Sequence, residues 1–216
     1  MAAGADNIAH IRQDYMLASL DEATAGNDPL AFFRRWFDEA IRAELSEVNA
    51  MTLATADANG LPHARIVLLK GLDNAGFSFF TNYDSAKAKD MDACHHAALV
   101  FFWKELERQV RIEGTVEKTD TAESDAYFHS RPAGSRIGAW ASPQSQVIPD
   151  RSVIDDNITR YSQQFSDGDI PRPGHWGGYR VIPQLIEFWQ GRSSRLHDRI
   201  VFKRTNAGWE KYRLAP

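Results

Sequence analysis

The stretch Arg65-Ile-Val-Leu-Leu-Lys-Gly-Leu-Asp-Asn-Ala-Gly-Phe-Ser-Phe-Phe-Thr81 decides the fold class of this chain of 216 residues. It holds two apolar runs, Arg65 to Lys70 and Phe77 to Thr81, and the turn-forming Asn74-Ala75-Gly76 lies just before the second run. Apolar runs bounded by such turns predict antiparallel strands. We therefore expect the middle of the chain to belong to an antiparallel sheet.

Strand-like runs continue on both sides of this stretch. Asn59-Gly60 marks another hairpin turn, and Gln109 to Glu117 alternates apolar with polar residues, which is typical of a half-buried strand. The other runs are Met51 to Ala56, Ala97 to Trp103, Tyr179 to Ile182, Leu185 to Gln190, Arg199 to Lys203 and Glu210 to Arg213. Many short strands with few helices predict a mainly β fold, a β-barrel with helical decoration.

Helical signals are fewer, and they define the expected domain. The predicted helices run from Asp28-Pro29 to Ile41, from Ser85 to Cys94, from Asp120 to His129, and from Asp150 or Ser152 to Phe165. Residues 1–27 show weak periodicity. We expect them to form a mobile N-terminal segment, with residues 28–216 forming a single domain.

The composition is that of a globular chain with a full core. Hydrophobic residues make up 43% and charged residues 25%, and the sole cysteine, Cys94, excludes a disulfide scaffold and favours a reducing compartment. The formal net charge of −4 argues against a nucleic-acid-binding protein, which would carry a clustered basic surplus. Neither a secretory signal nor a membrane-length apolar run is visible. We expect a cytoplasmic protein that binds neither nucleic acid nor a membrane.

The densest polar cluster is Arg195-Leu196-His197-Asp198-Arg199, directly after an apolar strand. In an extended segment, Arg195, His197 and Arg199 share one face and would converge on an anionic or planar ligand. A solvated edge whose charges cancel against Asp198 is the alternative, which the pentapeptide taken alone favours.

Two segments near the opening stretch also carry cations. Arg65 and Lys70 stand five residues apart, so in an ideal strand they face opposite sides and would contact different groups; a plain strand with charged ends is the alternative. Thr81 to Lys87 runs from a strand into a helix start, where hydroxyls, backbone N–H groups and a lysine suit a phosphate. Ordinary capping by Ser85 explains that segment equally well.

A second phosphate pocket is expected near Tyr127, Arg131 and Ser135, whose phenol, guanidinium and hydroxyl recur at spacings of four. Two other patterns predict no site. Cys94-His95-His96 lacks a second pair of ligands, so we expect no metal. The glycine-rich Gly174 to Gly178 lacks a nucleotide-binding fingerprint and is interpreted as tight loop geometry.

Together these segments resemble the pyridoxamine 5′-phosphate oxidase family. The most specific match is Ile186-Glu-Phe-Trp-Gln-Gly-Arg-Ser-Ser-Arg-Leu-His-Asp-Arg199, which is similar to the whole C-terminal signature of that family. Further matches, in order, are Arg65 to Lys70, Phe79 to Asn82, Glu107 to Gln109, Tyr127 to Pro132, Ile137 to Trp140 and Arg213 to Pro216. The resemblance covers the chain from about Arg12 to its end.

The resemblance implies an FMN-binding split β-barrel that forms a homodimer with FMN at the subunit interface. The implied reaction converts pyridoxamine or pyridoxine 5′-phosphate to pyridoxal 5′-phosphate by hydride transfer from substrate C4′ to flavin N5, and it reduces O₂ to H₂O₂. The positions that match FMN-binding residues of the family are Arg65, Ile66, Val67, Leu68, Leu69, Lys70, Phe80, Thr81, Lys87, Gln109, Gln144, Ser145, Trp189 and Arg199.

The resemblance also implies where the substrate binds. The matching positions are Lys70, Tyr127, Arg131, Ser135, Arg195, Leu196, His197, Arg12 and Tyr15. Arg195 and His197 are the implied catalytic residues over the pyridine ring, and our hypothesis is that His197, or a water it orders, assists proton removal. The N-terminal match implies that residues 1–27 contain a segment that closes over the substrate.

One position departs from the family pattern, and two other classes of protein are alternatives. Ala86 stands where members often carry Arg or Lys, so Arg65 and Lys87 must do more for the FMN phosphate, or another side chain compensates. A carrier that sequesters FMN or pyridoxal phosphate without turnover is one alternative, although the intact Arg195-Leu196-His197 argues against it. A nicotinamide-dependent flavin reductase is the other, but no signal for its second pocket is visible.

Overall fold

The computed structural model describes His10 and residues 13–216, so the predicted lid residue Arg12 lies outside the described residues. The chain divides into two compact units. The first unit comprises the described part of Met1–Val48 with Val100–Arg111 and Leu185–Pro216. The second unit comprises Asn49–Leu99 and Ile112–Gln184.

The described residues form six α-helices and nine strands. The helices are α1 Glu22–Ala25, α2 Pro29–Arg42, α3 Ala86–Cys94, α4 Thr121–Ser130, α5 Ala133–Ala141 and α6 Ser152–Gln164. The strands are β1 Ala50–Ala56, β2 Pro62–Leu68, β3 Gly71–Leu72, β4 Phe77–Asn82, β5 His96–Trp103, β6 Arg108–Lys118, β7 Trp176–Gln190, β8 Asp198–Thr205 and β9 Gly208–Leu214. Short 3₁₀ turns lie at Lys104–Leu106 and Ser193–Arg195.

Strand pairing confirms the predicted antiparallel sheet. Seven strands of the sheet follow the order β2-β1-β5-β6-β7-β4-β3. The β1–β2 pair is antiparallel and places Leu53 opposite Arg65, while the antiparallel β4–β7 pair places Phe80 opposite Gly178. In the first unit, β7 pairs antiparallel with β8, which in turn pairs antiparallel with β9.

Strand β7 corrects two sequence-based expectations. The two runs predicted at Tyr179 to Ile182 and Leu185 to Gln190 form one continuous strand. Pro183 does not interrupt the strand, because it lies between the residues that pair with β4 and those that pair with β8. The interpretation of Gly174 to Gly178 as loop geometry is wrong for its second half, which begins β7. A Cβ on Gly177 would lie 2.1 Å from the Tyr83 hydroxyl, so the close approach of the strand requires glycine.

Two further differences lie near the predicted phosphate pockets. Strand β2 ends at Leu68, so Lys70 lies beyond the strand instead of at its end. Helix α5 has no predicted counterpart, since its two glycines give it low helix propensity. It is held by packing, because Ile137 and Ala139 are buried in one apolar cluster with Phe128.

The predicted helix starts are confirmed where an aspartate caps the helix. Asp28 accepts hydrogen bonds from Leu30 N and Ala31 N at the start of α2. Asp120 accepts from Glu123 N at the start of α4 (2.6 Å).

An aromatic cluster forms the core of the first unit. On α2, Phe32 and Trp36 pack on Phe188 of β7, with ring centres 4.4 and 5.3 Å apart. The same face buries Phe33, whose ring centre lies 5.0 Å from that of Phe101.

Part of the segment predicted as mobile is bonded to the rest of the first unit. Leu20 is buried, and its N–H donates to Asp198 (3.0 Å). The Lys211 ammonium group donates to the carbonyl oxygens of Glu22 and Gly26, each at 2.6 Å. These contacts place residues 20–26 alongside β9. No described helix combines the length and the apolar character needed to cross a membrane.

Candidate active site

A cavity of about 340 Å³ in the second unit brings together ten of the residues predicted to bind FMN or substrate. They come from β2, β4 and the loops and helices around them. The ten are Ile66, Val67, Leu68, Lys70, Phe80, Thr81, Lys87, Tyr127, Arg131 and Gln144. Segments predicted separately, up to 78 positions apart between Ile66 and Gln144, thus form a single site.

Lys87 gives this cavity a cation with neutral partners. Its ammonium group donates to Gln144 Oε1 (3.0 Å), Thr81 Oγ1 (3.2 Å) and Ser85 Oγ (3.3 Å). Burial, and to a lesser extent the positive charge of Arg65, lowers the pKa of Lys87. A half-buried cation that bonds to neutral oxygens suits an anionic ligand.

The start of α3 adds to the attraction for an anion. Ser85 occupies the N-cap, but its hydroxyl donates to the Asn82 carbonyl oxygen (2.7 Å) and makes no capping bond. Ordinary capping by Ser85 is therefore wrong as an explanation of this segment. The N–H groups of a helix N-terminus without a side-chain cap attract phosphate groups.

Arg131 supplies a second cation. It directly follows α4, and its guanidinium carbon lies 4.5 Å from the centre of the Trp176 ring. Burial lowers its pKa, and its buried Nη1 has no hydrogen-bond partner among the described residues. A buried donor without a partner costs about 1–3 kcal/mol, so this position favours a ligand that accepts a hydrogen bond.

Stacked aromatic rings form a flat wall of the same cavity. The ring centres of Phe80 and Tyr127 are 4.1 Å apart with planes 23° apart, and those of Phe80 and Trp176 are 5.6 Å apart with planes 13° apart. Lys70 lies outside the strand with its ammonium group 6.0 Å from the Tyr127 ring centre. The cavity therefore combines a planar apolar surface with cations.

Four predicted residues of the second unit do not line this cavity. Leu69 is buried, and Ser135 and Ser145 are exposed. Arg65 does not line the cavity either, and its Nη1 donates to Thr55 Oγ1 (2.7 Å) and to the Leu53 carbonyl oxygen (3.2 Å).

The first unit contains a separate cleft of about 620 Å³ that Arg195, His197 and Tyr15 line. The expected extended segment is wrong here, because Ser193–Arg195 is a 3₁₀ turn with Arg195 at φ 63°, and β8 begins only at Asp198. Arg199 accordingly does not join the cleft. Its Nε donates to buried Glu187 (2.6 Å).

The hydrogen bond to His197 defines its tautomer. The backbone N–H of Arg192 donates to His197 Nδ1 (3.1 Å), so the neutral ring carries its proton on Nε2. Burial, followed by the charge of Arg195, lowers the pKa of His197 from its ordinary value of 6.5. At neutral pH, His197 is therefore a neutral hydrogen-bond donor through Nε2.

The other predicted residues of the first unit do not line the cleft. Trp189 of β7 has its ring centre 4.5 Å from that of His197, and Leu196 is exposed. Gln109 is half-buried on β6.

Tyr15, on the N-terminal segment, packs into this cleft. Its ring centre lies 5.9 Å from that of Trp189 and 6.0 Å from that of His197. Asp14 accepts a hydrogen bond from Ser194 N (3.2 Å). A Cβ on Gly191 would lie 2.8 Å from Tyr15 Cβ and Cγ, so this packing requires glycine at 191.

Replacing Gly191 with alanine is expected to displace Tyr15. Loss of its aromatic contacts, worth about 0.5–1.5 kcal/mol, should speed amide hydrogen exchange at Ser194 roughly two- to tenfold. Gly134→Ala is the matched control, since a Cβ there meets nothing within 4 Å. Equal exchange at Ser194 in the Gly191→Ala variant and in the parent protein would contradict this packing.

Two residues that line the cavity of the second unit were not predicted from the sequence. Asn82 and Trp176 both line it. Asn82 belonged to the matched Phe79 to Asn82 segment, so the motif itself was the available signal. Trp176 lies in the glycine-rich stretch, where a large aromatic residue directly before two glycines was the available signal.

Comparison with protein families adds independent evidence. A family model described as pyridoxamine 5′-phosphate oxidase matches residues 37–165. A second model, described as the pyridoxine 5′-phosphate oxidase C-terminal dimerisation region, matches residues 176–216.

Individual relatives agree over nearly the whole chain. A protein of Ralstonia nicotianae named pyridoxine/pyridoxamine 5′-phosphate oxidase 1 is 61% identical over 211 residues, covering 97% of this chain and 99% of that protein. A Burkholderia multivorans protein named pyridoxine/pyridoxamine 5′-phosphate oxidase is 59% identical over 212 residues, with the same coverage.

Solved structures share the fold. PhzG from Burkholderia lata 383, in complex with tetrahydrophenazine-1-carboxylic acid, has a TM-score of 0.86 at 27% identity, covering 93% of this chain and 99% of that chain. A pyridoxamine 5′-phosphate oxidase-related, FMN binding protein from Nostoc punctiforme has a TM-score of 0.67 at 16% identity, covering 88% and 100%. These matches confirm the predicted fold class. The family matches confirm the resemblance: the chain belongs to the pyridoxamine 5′-phosphate oxidase family.

Proposed function

We propose that the protein oxidises pyridoxamine or pyridoxine 5′-phosphate to pyridoxal 5′-phosphate, with FMN as its cofactor and with O₂ reduced to H₂O₂. The observation that carries this proposal is the cavity of the second unit, where two half-buried cations, Lys87 and Arg131, flank a stacked aromatic wall. Both the cofactor and the substrate are planar phosphate esters. The chain belongs to a family of oxidases, and close relatives bear the name of this activity.

The residues at the start of α3 fit the phosphate of FMN. Lys87 holds only neutral oxygens there, and the helix N-terminus lacks a side-chain cap. When bound, FMN supplies the acceptor for the hydride from substrate C4′. The role of this chain is then to bind and orient. Gln109, Trp189 and Arg199 stay predicted FMN ligands on the strength of the resemblance.

Arg131 and Lys70 fit the phosphate of the substrate. The unpartnered Nη1 of Arg131 is a donor that a phosphate oxygen satisfies, and a guanidinium group can hold such an oxyanion in a fixed direction. Tyr127 lies beside both cations in the cavity lining. Fixing the phosphate would restrain where the reacting carbon lies, which is the main contribution that a positioning site makes to rate.

We propose that His197 and Arg195 contact the substrate ring, with His197 acting as a donor. Because Nδ1 accepts the hydrogen bond from Arg192, the free Nε2 carries a proton. It can donate a hydrogen bond to an oxygen or nitrogen of the substrate. Direct proton removal by Nε2 is disfavoured by this tautomer, so an ordered water is the better candidate for the proton acceptor.

The charge on Arg195 sets part of the pKa of His197. Removing that charge by Arg195→Gln is expected to raise the pKa of His197 toward 6.5, which moves its protonation to higher pH. An NMR titration of the imidazole measures the change. Arg192→Gln keeps the backbone N–H bond and serves as the control, with no shift expected. An unchanged His197 pKa in Arg195→Gln would refute the electrostatic coupling.

We also propose a homodimer with FMN at the interface and a lid that includes residues 13–15. Residues 176–216 match a dimerisation region. Ile66 and Leu68 are exposed apolar side chains, 64% and 37% exposed, and both line the cavity. Covering them by a second subunit would remove apolar surface beside the proposed FMN site.

One experiment tests the activity. The purified protein is examined for the visible absorption of a flavin and is then given pyridoxamine 5′-phosphate in air. Formation of the aldehyde together with H₂O₂ supports the oxidase. A flavin-containing protein that yields neither product would favour a carrier, and flavin reduction by a nicotinamide without substrate oxidation would favour a reductase.

A further inference from the structure

A buried polar network in the second unit connects helix α3 to strands β1 and β2. Asp90 of α3 is buried, and its Oδ2 accepts hydrogen bonds from Thr55 Oγ1 (2.6 Å) and His63 Nδ1 (3.0 Å). Thr55 Oγ1 in turn accepts from Arg65 Nη1 (2.7 Å). The Arg65 Nη2 lies 3.8 Å from the same carboxylate oxygen. Asp90 is therefore connected to Arg65 both through Thr55 and by direct charge attraction.

Helix α3 carries both Asp90 and Lys87. The two residues are three positions apart, so they share one face of the helix. Lys87 enters the cavity, while Asp90 holds Arg65 on the neighbouring strand β2. The charge of Arg65 contributes to the lowered pKa of Lys87, which indicates that the two cations lie within electrostatic range.

The carboxylate is held in its charged form. Burial raises the pKa of Asp90, but hydrogen bonds from Thr55 and His63, together with the charges of His63 and Arg65, lower it overall. A buried negative charge near an anion site repels the anion. Such a charge can favour anion binding only if it fixes a cation that would otherwise adopt other rotamers.

We propose that Asp90 is a positioning residue for the cofactor phosphate: through Thr55 and by direct attraction, it fixes the Arg65 guanidinium near Lys87. The proposal rests on FMN being the cofactor. It also bears on Ala86, which leaves the first turn of α3 without the cation that the resemblance implies at this position. A rigidly held Arg65 compensates for that missing charge, because a preorganised cation loses less conformational freedom on binding.

The test compares FMN with riboflavin, which lacks the phosphate. Apoprotein is titrated with each ligand, and quenching of flavin fluorescence gives the Kd. Asp90→Asn is expected to weaken FMN binding about tenfold, the size of one charged hydrogen bond, and to leave riboflavin binding within about twofold. Asp92→Asn on the same helix is the matched control, with no change expected for either ligand.

A double-mutant cycle shows whether Asp90 acts through Arg65. Arg65→Ala alone weakens FMN binding, and adding Asp90→Asn to it should change the Kd less than about twofold, since coupled residues are non-additive. Thr55→Val and Thr55→Ser provide a second route if Asp90→Asn fails to fold. Thr55→Val removes the linking hydroxyl and should weaken FMN binding selectively, whereas Thr55→Ser should preserve it.

The outcomes separate this proposal from the proposed function. Unchanged or tighter FMN binding in Asp90→Asn, additive effects with Arg65→Ala, or equal losses for FMN and riboflavin would each overturn the positioning role while leaving the oxidase intact. Equal affinity of the parent protein for FMN and riboflavin would instead refute the phosphate site, and this proposal with it.

Discussion

Replacing Lys87 with methionine is expected to weaken FMN binding roughly 10- to 100-fold, because a partly buried hydrogen bond between charged groups contributes about 1.5–3 kcal/mol. Methionine keeps much of the apolar stem and removes the ammonium group, which now bonds to Gln144, Thr81 and Ser85. Fluorescence titration of the apoprotein with FMN measures the loss. Riboflavin binding should change far less.

Lys89 provides the control for Lys87, since it lies on the same helix and is exposed. Lys89→Met changes the net charge by the same amount, so a general electrostatic effect would appear in both variants. Lys87→Arg should restore part of the affinity, because it returns the positive charge. An FMN affinity in Lys87→Met equal to that of Lys89→Met would contradict the phosphate site at the start of α3.

Replacing Arg131 with alanine is expected to raise KM for pyridoxamine 5′-phosphate roughly 10- to 100-fold while kcat changes much less, since a binding group uninvolved in the chemical step acts mainly on KM. The physical reason is the buried Nη1 donor, which has no hydrogen-bond partner among the described residues and which the proposed substrate phosphate would satisfy. Steady-state kinetics under air measure the split between the two constants.

Arg151→Ala is the control for Arg131, because Arg151 is an exposed arginine paired with Asp155 on α6. Pyridoxamine without its phosphate supplies a second comparison: the parent protein and Arg131→Ala should turn it over almost equally. A fall in kcat with an unchanged KM would contradict the proposed phosphate contact and would place Arg131 in the chemical step.

The family resemblance could be recognised from the sequence because its motifs are short and contiguous. The run Ile186 to Arg199 is contiguous, so its similarity to a family signature needs no knowledge of the fold. The strands around Asn74-Ala75-Gly76 and the helix caps at Asp28 and Asp120 were likewise predictable, since turns and caps depend on the conformations of a few adjacent residues.

The conformation of Arg195 to Arg199 could not be predicted from local sequence patterns. Alternation along an extended segment predicted one shared face, whereas Arg195 adopts a left-handed φ of 63° and Arg199 bonds to Glu187. A non-glycine residue adopts that conformation only when tertiary contacts outweigh its intrinsic cost. Helix α5 shows the same effect, because burial of Ile137 overrides the poor propensity of its glycines.

By itself, the sequence determined the family, the antiparallel strands and the identity of most cavity residues, because each of these follows from short-range patterns. Only the tertiary structure decided that Lys87 and Arg131 share one cavity and that Asp90 connects to Arg65 through Thr55. Charges far apart in the chain have no mutual energy until the fold brings them within a few ångströms. The fold also partly excludes the water that would screen them.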